Sequence, residues 1–419
     1  MNRLRPILLV FMPFAAGYYL SYLFRVINAV VAESLVHDLQ LDATRLGLLS
    51  SVYFLTFAAV QLPLGTALDR FGPRRVQGTL LMLAAVGALI FARASSLTGL
   101  VIGRGLIGLG VAGALMAGLK AIVEWFPKER LPLVNGAFIA LGAAGAVTAT
   151  TPVEWMLGWI DWRGLFLVLA AATAAVSLLI LLLVLEPPKR VLADCGSFKI
   201  RAIYADSRFW RVAPLSALCI GSAWAMQGLW AAPWLADVAT LERSEIVHHL
   251  FIMAVALCVG ALLIGIVADR LRHRGIGPAI VLPSSACLFI AAELALVCRI
   301  SIPSTALWAL VAGMGAATVL SYALIADLFP REAAGRANAA LNVLHIGGAF
   351  AVQVGIGVVV GLWPRDPLGH YPPDAYGAAL LILIVLQFMA LLWFLRPSSR
   401  ARAKADRSFT PEPFEELRR

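Results

Sequence analysis

The sequence predicts an all-α polytopic membrane protein with twelve transmembrane helices. Two features of its composition support this fold class: 61% of the 419 residues are hydrophobic, and only 14% are charged. The mean hydropathy is +0.85. A soluble globular chain is about 45–50% apolar and about 25% charged. Because a soluble monomer cannot bury so much apolar surface, most of the chain is expected to contact lipid.

The apolar residues form long continuous segments. A bilayer core about 30 Å thick needs about 20 residues of helix, and a helix satisfies its own backbone hydrogen bonds inside the membrane. Twelve segments qualify, at about residues 7–32, 46–67, 77–95, 98–124, 132–157, 163–185, 212–236, 248–268, 278–298, 304–327, 337–362 and 376–395.

The basic residues predict the orientation of these spans. Of the 34 Lys and Arg residues, 25 fall on the side that carries the N-terminus and 6 fall in the loops of the other side. The positive-inside rule then places both termini in the cytoplasm, and we expect an inner (plasma) membrane location. The same distribution accounts for the net charge of +10 without a basic folded face, so nucleic-acid binding is not expected.

The longest connection on the predicted cytoplasmic side divides the chain. It covers residues 186–211 and separates a six-helix unit at 1–185 from a second one at 212–396. Residues 397–419 are polar and contain proline, which predicts a disordered cytoplasmic tail.

Several other protein classes are disfavoured by what the sequence lacks. The five cysteines show no C-x-x-C or metal-ligand spacing, and no G-x-x-x-x-G-K-[ST] phosphate loop occurs. The predicted outer loops are too short for a domain and carry no nucleophile–base pair, so we expect no catalytic residue, metal or cofactor. The first apolar segment continues to Ala32, which favours a membrane span over a cleaved signal peptide.

The two halves of the chain resemble each other at matched positions. Gly65, Asp69 and Arg70 after the second span correspond to Gly265, Asp269 and Arg270 after the eighth, 200 residues later. The sequence Phe-Pro-Lys-Glu at 126–129 likewise corresponds to Phe-Pro-Arg-Glu at 329–332. Parallel repeats of six spans enclose a central site in known transporters.

The stretch from Gly65 to Arg75 resembles the signature loop of the major facilitator superfamily, and Arg104 to Gly108 is similar to its R-x-x-x-G element. The resemblance covers about residues 7–395 and implies two pseudo-symmetric six-helix bundles around a central cavity. It also implies that Asp69, Arg70 and Arg74 form a cytoplasmic latch between the two halves in the outward-open state. Gly65, Asp269 and Arg270 belong to the same predicted latch.

Arg25 is the leading candidate for binding a substrate. A charged group at the bilayer centre costs about 2.5–3.5 kcal/mol on insertion scales, so it is expected to face a cavity or a partner. Tyr22 and Asn28 lie three residues to either side and share its helical face. A guanidinium offers a planar fork that matches a carboxylate.

The Tyr22–Arg25–Asn28 pattern resembles the first span of the organic-anion and organophosphate branches of the superfamily. The sequence has Phe24 where an acid often precedes the arginine, and residues 212–236 lack the basic residue of the organophosphate branch. These departures favour a monocarboxylate over a doubly charged phosphate. Nitrate porters carry arginines in spans two and eight, and both of these spans lack them here.

Other polar residues in the spans are further candidates. Arg104 is a second buried cation, and Tyr322 is a candidate lining residue of span ten. Trp224, Gln227 and Trp230 form one stripe along span seven, which is typical of packing but is compatible with a substrate-binding face. The proton-coupling candidates are His345, Glu154 and Glu124, although Glu124 is also placed to pair with Lys120 at i,i+4. Glu293 is left as a structural residue.

Three functional hypotheses remain at this stage. The first is a monomeric secondary active transporter of a small organic anion, driven by protons through alternating access. The second is a proton antiporter that exports amphipathic drugs or cations, for which Arg25 would turn away from the cavity. The third is a receptor or scaffold that has kept the fold and lost transport. The substrate, the coupling ion and the direction of transport are left open by the sequence.

Overall fold

The computed structural model of the protein describes residues 7–127, 130–184, 200–300, 302–367 and 369–396. All regular secondary structure in these ranges is helical. Most of the predicted linker and all of the predicted tail lie outside the described residues.

The N-terminal half contains spans one to six. They comprise Ile7–Val26 continued by Asn28–Leu39, the two parts of Ala43–Arg93, Leu97–Val111 with Ala114–Trp125, Leu131–Thr148 with Thr151–Leu157, and Trp162–Leu183. Gly72, with a φ of 78°, interrupts the helical backbone of Ala43–Arg93 and separates spans two and three. The sequence predicted a longer break there, at residues 68–76.

The C-terminal half contains spans seven to twelve. A short helix at Ile200–Tyr204 precedes them. The spans comprise Ser207–Ala225 with the π-helix Met226–Trp230 and Ala231–Asp237, Arg243–His273, Pro278–Val297, Ser304–Gly315 with Ala316–Val319 and Leu320–Leu328, Arg331–Val360, and Pro373–Leu395. Span seven thus begins at Ser207, inside the predicted linker, because Asp206 caps the helix by accepting a hydrogen bond from the Arg208 amide at 2.8 Å.

The number of spans agrees with the prediction. Eleven described helices are long and apolar enough to cross a membrane, and the count is twelve when the bent pair Leu133–Thr148 and Thr151–Leu157 is one span. That pair bends by 41°, and Pro152 at the start of its second helix lacks the amide hydrogen that a continuous helix would use. The predicted fold class of an all-α protein with two six-helix bundles is confirmed.

Glycines bring the backbones of neighbouring spans into contact. A Cβ on Gly108 of span four would lie 2.3 Å from the Tyr53 carbonyl oxygen of span two. A Cβ on Gly145 of span five would lie 2.1 Å from the Tyr19 carbonyl oxygen of span one. Since lipid gives no hydrophobic driving force between helices, such close packing supplies much of their association.

The two ends of the bundle differ in how the halves meet. We call the end that carries Ile7 and Arg396 the terminal face and the other end the opposite face. At the opposite face, Arg243 of span eight donates to Glu154 of span five through Nε at 2.9 Å and Nη2 at 2.6 Å. It also donates to Glu33 Oε2 at 3.1 Å and to the Val30 carbonyl oxygen at 2.6 Å. One arginine thus ties the C-terminal half to spans one and five.

Further contacts close the opposite face. Arg365 donates to the Leu41 carbonyl oxygen at 2.6 Å, and the Ala43 amide donates to the Tyr371 hydroxyl at 2.9 Å. Gly47 approaches Gly357 so closely that a Cβ on Gly47 would lie 3.2 Å from the Gly357 Cα. We refer to these contacts, together with those of Arg243, as the seal.

The terminal face has space between the halves. An added Cβ on either Gly65 or Gly265 would meet no atom within 4 Å. Neither glycine is therefore in close contact with a neighbouring helix in this conformation. The bundle is closed at the opposite face and open at the terminal face.

A histidine–aspartate pair supports the seal within the C-terminal half. Asp237 accepts from His370 Nδ1 at 2.6 Å, from the Tyr371 amide at 3.1 Å and from the Tyr376 hydroxyl at 2.6 Å. The hydrogen bond to Asp237 raises the pKa of His370, and the aspartate charge raises it further, whereas desolvation lowers it. These bonds hold Tyr371 in the position where its hydroxyl accepts the hydrogen bond from the Ala43 amide.

We predict that Arg243→Ala opens the seal, because Glu154, Glu33 and the Val30 carbonyl lose their shared donor. Spin labels at positions 37 and 362 report the opening, since His37 is 88% exposed and Leu362 is 74% exposed on opposite halves. Double electron–electron resonance should show a larger long-distance population. Arg45→Ala is the matched control, because Arg45 pairs only locally with Asp42 at 3.4 Å. Equal distance distributions for the two variants would contradict the role of Arg243.

We also predict a pH-dependent contribution of His370 to stability. Because its pKa is higher in the folded state, the contribution is complete below the unfolded value of about 6.5 and is lost as the pH rises through the folded pKa. The difference in Tm between the wild type and His370→Gln should thus be largest at acidic pH and shrink at alkaline pH. His248→Gln, at an exposed position, serves as control. A difference that grew with pH would refute the assignment.

Candidate functional site

Arg25 lies between the two halves, in the interior of the bundle. Its guanidinium carbon is 3.9 Å from the ring centroid of Tyr22 in span one and 4.7 Å from that of Trp224 in span seven. Its Nε and Nη2 atoms are buried and have no hydrogen-bond partner among the described residues. The cation is thus held by aromatic faces, while two of its donors remain available.

Stacked aromatic rings fix both of these partners. Tyr18 contacts Tyr22 edge-on at 5.2 Å and stacks on Phe138 of span five at 5.0 Å. Trp224 stacks on Phe54 of span two, with ring centroids 6.2 Å apart. Aromatic residues from four spans therefore position the arginine, and the sequence analysis did not identify the roles of Phe138 and Phe54.

Arg104 is the second buried cation of the N-terminal half. It is 1% exposed, its guanidinium carbon is 4.8 Å from the Tyr53 ring centroid, and its Nε and Nη1 atoms have no partner among the described residues. The Tyr53 hydroxyl donates to the Ser21 carbonyl oxygen at 3.2 Å. Tyr53 interacts electrostatically with both Arg25 and Arg104, so the two cations lie near the same tyrosine.

The polar neighbours of Arg25 differ from the predicted set. Asn28 is 1% exposed and donates to Ser50 Oγ of span two at 2.9 Å, since a turn at Ile27 separates the helices that carry Arg25 and Asn28. Asn28 is therefore directed to span two instead of extending the Tyr22–Arg25 face. Gln227 lies in the π-helix beside Trp224 and keeps its Nε2 without a described partner.

Trp230 lies at the seal in this conformation. It is 1% exposed, and its Nε1 donates to the Gln353 carbonyl oxygen at 3.2 Å. A Cβ on Gly47 would lie 3.2 Å from the Trp230 ring. The predicted stripe of span seven thus divides, because the π-helix between Trp224 and Trp230 changes the helical register. A substrate contact of Trp230 stays a prediction.

A chain of polar side chains leads from the middle of the bundle into the C-terminal half. Tyr322 donates to Asn342 Oδ1 at 2.8 Å, and its hydroxyl lies 3.1 Å from His345 Nδ1. His345 Nε2 lies 3.0 Å from Ser216 Oγ of span seven. Asn342 donates across the halves to Gln61 Oε1 at 3.5 Å. The sequence did not single out three members of this chain, although each, like Arg25, is a polar residue in an apolar span: Gln61, Asn342 and Ser216.

Two of the predicted acids lie at the ends of spans four and five. Lys120 donates to Asp69 Oδ1 at 2.6 Å and to the Leu68 carbonyl oxygen at 2.9 Å, both in span two. Its charge still interacts with Glu124, the partner in the predicted ion pair. Glu124 keeps its Oε2 buried without a described partner. Glu154 is bound bidentately by Arg243 in the seal, and a proton-coupling role for it stays a prediction.

The predicted latch residues contact only their own half in the described structure. Asp69 pairs with Lys120, Arg70 lies over the Phe71 ring at 5.2 Å, and Arg74 Nε donates to the Leu181 carbonyl oxygen at 2.9 Å. In the C-terminal half, Asp269 lies 3.7 Å from His273 Nε2. Arg270 is exposed. Because the terminal face is open here, a latch between the halves stays a prediction for the other conformation.

A family model agrees with this architecture along nearly the whole chain. The model of the Major Facilitator Superfamily matches residues 14–352 and, in a second match, residues 215–419. The chain belongs to the Major Facilitator Superfamily. This facilitator is therefore a multi-pass membrane transporter and not an enzyme, as the sequence predicted.

Relatives of the facilitator include transporters of organic anions. A probable sulfoacetate transporter, SauU, of Cupriavidus necator is 24% identical over 274 residues, which cover 61% of this chain and 64% of the relative. A hexuronate transporter of Escherichia coli is 30% identical over 155 residues, which cover 37% of this chain and 36% of the relative. The chain thus matches less than two thirds of the length of each of these relatives.

Solved structures share the fold. A bacterial homologue of the human lysosomal transporter Spinster, in an inward-facing and unoccupied conformation, superposes with a TM-score of 0.76 and 18% identity over 94% of this chain and 97% of that one. A D-xylose–proton symporter gives a TM-score of 0.71 with 14% identity over 93% and 97% of the two chains. At these identities the similarity supports the fold alone.

We predict that Gly65→Ala spares the conformation described here and hinders the one in which the terminal face closes. A methyl group at Gly65 meets no atom within 4 Å, and alanine favours the helix by about 0.5–1 kcal/mol, so Tm should be unchanged or slightly raised. In the Arg243→Ala background, Gly65→Ala should reduce the long-distance population between labels at 37 and 362. Gly377→Ala, which is equally unobstructed, is the control. No difference between the two glycine variants would argue against the latch.

Proposed function

We propose that this facilitator is a secondary active transporter of a small organic anion and that it works by alternating access. The single observation that carries the proposal is the buried guanidinium of Arg25, which lies between the two halves with unpartnered donors. No acid of the described residues forms an ion pair with Arg25, whose guanidinium lies over the faces of Tyr22 and Trp224 and also interacts with the Tyr22 hydroxyl.

The energetics of a buried cation favour an anionic ligand. Leaving charged donors buried without an acceptor is costly, and a carboxylate would supply both the opposite charge and two acceptor atoms. Because Arg25 faces span seven as well as span one, an anion bound to it would contact both halves. A ligand at that position is exposed to each side in turn when the halves rock.

The relatives support an anion on independent grounds. Their names specify hexuronate, galacturonate, L-galactonate and sulfoacetate as substrates. The first three carry one carboxylate each, and sulfoacetate carries a carboxylate and a sulfonate. In the present chain, Gln227 and Tyr322 are polar groups near the same cavity, and Tyr322 interacts electrostatically with Tyr22. We infer that these side chains bind the polar remainder of the anion while Arg25 binds its charged end, with Arg104 adding positive potential.

The other parts of the proposal follow the sequence. The facilitator acts as a monomer in the inner membrane with cytoplasmic termini, so the open terminal face is the cytoplasmic one. Protons drive transport, with His345 as the coupling residue nearest the cavity. The alternative of a drug or cation exporter required Arg25 to turn away from the cavity, and its position between Tyr22 and Trp224 favours the anion instead.

We predict that Arg25→Gln abolishes anion exchange, because the neutral amide removes the charge-assisted hydrogen bonds. Each such bond is worth about 1.5–3 kcal/mol, or about tenfold or more in affinity. Counterflow in proteoliposomes with labelled galacturonate, galactonate and sulfoacetate measures the effect. Arg25→Lys should retain part of the activity, since it keeps the charge but loses the fork.

Arg93→Gln is the matched control, since Arg93 is exposed at the end of span three. It should exchange the anion at the wild-type rate. If Arg25→Gln also transported at that rate, the anion assignment would have to be abandoned. Absence of counterflow in the wild type with all three anions would remove the proposed substrate class.

A further inference from the structure

Glu293 is a buried acid that neither the seal nor the anion site uses. It lies in span nine, is 1% exposed, and its Oε1 accepts a hydrogen bond from the Ser222 hydroxyl of span seven. Its Oε2 is buried and has no hydrogen-bond partner among the described residues. No Lys, Arg or His in the described part of the chain forms an ion pair with it.

The groups around Glu293 favour a neutral carboxyl. Cys219 of span seven is a titratable side chain that faces Glu293. Gln387 of span twelve also faces it and is uncharged. On span nine itself, Cys287 interacts with Cys219. An ionised carboxylate without a cation is expensive in such surroundings. A proton on Oε2 makes the carboxyl neutral and removes the cost of burying its charge. For Glu293 to release this proton again, the structure must provide a route by which the proton can leave.

A small cavity provides the beginning of such a route. It lies inside the C-terminal half, has a volume of about 10 Å³, and is lined by Ser216 and Cys219 of span seven and by Ser285 and Phe289 of span nine. This volume is close to the minimum that holds one water molecule. Most of its lining is apolar, and the hydroxyls of Ser216, Ser285 and Thr318 are the polar groups available to a water molecule there.

The cavity lies between two stripes that lead to Glu293. On span seven, Ser216, Cys219 and Ser222 are three residues apart and share one helical face. On span nine, Ser285, Phe289 and Glu293 are four residues apart and likewise share one helical face. The first residues of both stripes line the cavity, and the last two, Ser222 and Glu293, are joined by their hydrogen bond.

The other end of the route is His345. Its Nε2 lies 3.0 Å from the Ser216 hydroxyl, which lines the cavity. Its Nδ1 lies 3.1 Å from the Tyr322 hydroxyl, which belongs to the polar chain at the middle of the bundle. His345 thus contacts the polar chain at the middle of the bundle through one ring nitrogen, and through the other it contacts a serine that lines the small cavity.

We propose that Glu293 is the binding site for the coupling proton and that His345, Ser216 and one water molecule in the small cavity conduct the proton to it. The proposal rests on the proposed function, because it needs a transported substrate to which the proton is coupled. It assigns the proton site to span nine and gives His345 the role of a relay.

Each transfer in this relay balances. A proton from the central cavity adds to His345 Nδ1 while the Nε2 proton passes to the Ser216 oxygen. The Ser216 hydroxyl proton passes to the water molecule. The cavity ends at Cys219 and Phe289, so the water molecule carries the proton over one helical turn and gives a proton to Glu293 Oε2. Histidine, serine and water end neutral, and the carboxylate becomes a carboxylic acid. The final arrangement, in which the Tyr322 hydroxyl donates to Asn342 and Nδ1–H donates to the Tyr322 oxygen, agrees with the observed distances.

The test compares counterflow with accumulation driven by an imposed proton gradient in proteoliposomes, with galacturonate, galactonate and sulfoacetate as probes. Glu293→Gln mimics the protonated acid in shape and charge. We expect it to retain counterflow and to lose gradient-driven accumulation by about tenfold or more. Glu245→Gln is the matched control, since Glu245 is exposed at the start of span eight, and it should accumulate the probe like the wild type.

A second measurement does not depend on transport. Infrared difference spectra between acidic and alkaline pH should contain a protonated-carboxyl band that shifts in D₂O and disappears in Glu293→Gln. Ser216→Ala should keep that band and slow its appearance after a pH jump, because it interrupts the relay and leaves the acid in place.

The outcomes separate the two proposals. Wild-type accumulation in Glu293→Gln, or a band that persists in that variant, would overturn the proton site even if anion counterflow is intact. Conversely, a wild type that exchanges none of the three anions would refute the proposed function, and the infrared band would still decide whether Glu293 binds and releases a proton.

Discussion

The interaction on which the rest of the structure depends is the placement of the Arg25 guanidinium against aromatic faces from both halves. A cation in the membrane interior is tolerated only where lipid is excluded and where its donors can be satisfied. Tyr22 and Trp224 supply the first condition. The second is left incomplete, because two guanidinium nitrogens have no described acceptor. The positive charge of Arg25 is thus uncompensated at the interface of the two bundles, and a small anion is the simplest species that would compensate it.

The seal has to be firm enough to close one face and weak enough to break in each cycle. Its ion pairs are only partly buried: the Arg243 side chain is 32% exposed and that of Glu33 is 75% exposed. Such pairs contribute about 0–1 kcal/mol each. Close backbone contact at Gly47 and Gly357 adds packing without new buried charge. A seal built from several weak contacts opens at modest cost, whereas a fully buried ion pair would favour one conformation too strongly.

The sequence predicted the spans, their repeat and the buried arginine because these follow from hydropathy and from the cost of a charge in lipid. It failed where the outcome depended on which neighbouring helix a side chain meets. The i,i+4 spacing predicted an ion pair between Lys120 and Glu124, but Lys120 forms its short ion pair with Asp69 of another span. Glu154 similarly forms an ion pair with Arg243 of the other half. Asn28 donates a hydrogen bond to Ser50 of span two. Spacing defines a face of one helix, whereas the partner is fixed by tertiary packing.

The two halves divide the charges in a way that accounts for coupling. In the proposed cycle, the N-terminal half carries the unpaired cations Arg25 and Arg104, and the C-terminal half carries the buried acid Glu293. Binding an anion compensates the charge of Arg25, and binding a proton neutralises Glu293. With only one of them bound, an uncompensated buried charge remains, and rearranging the halves around it is costly. Because the coupling free energy between two sites is reciprocal, each ligand then makes the other easier to carry, and no direct contact between anion and proton is needed.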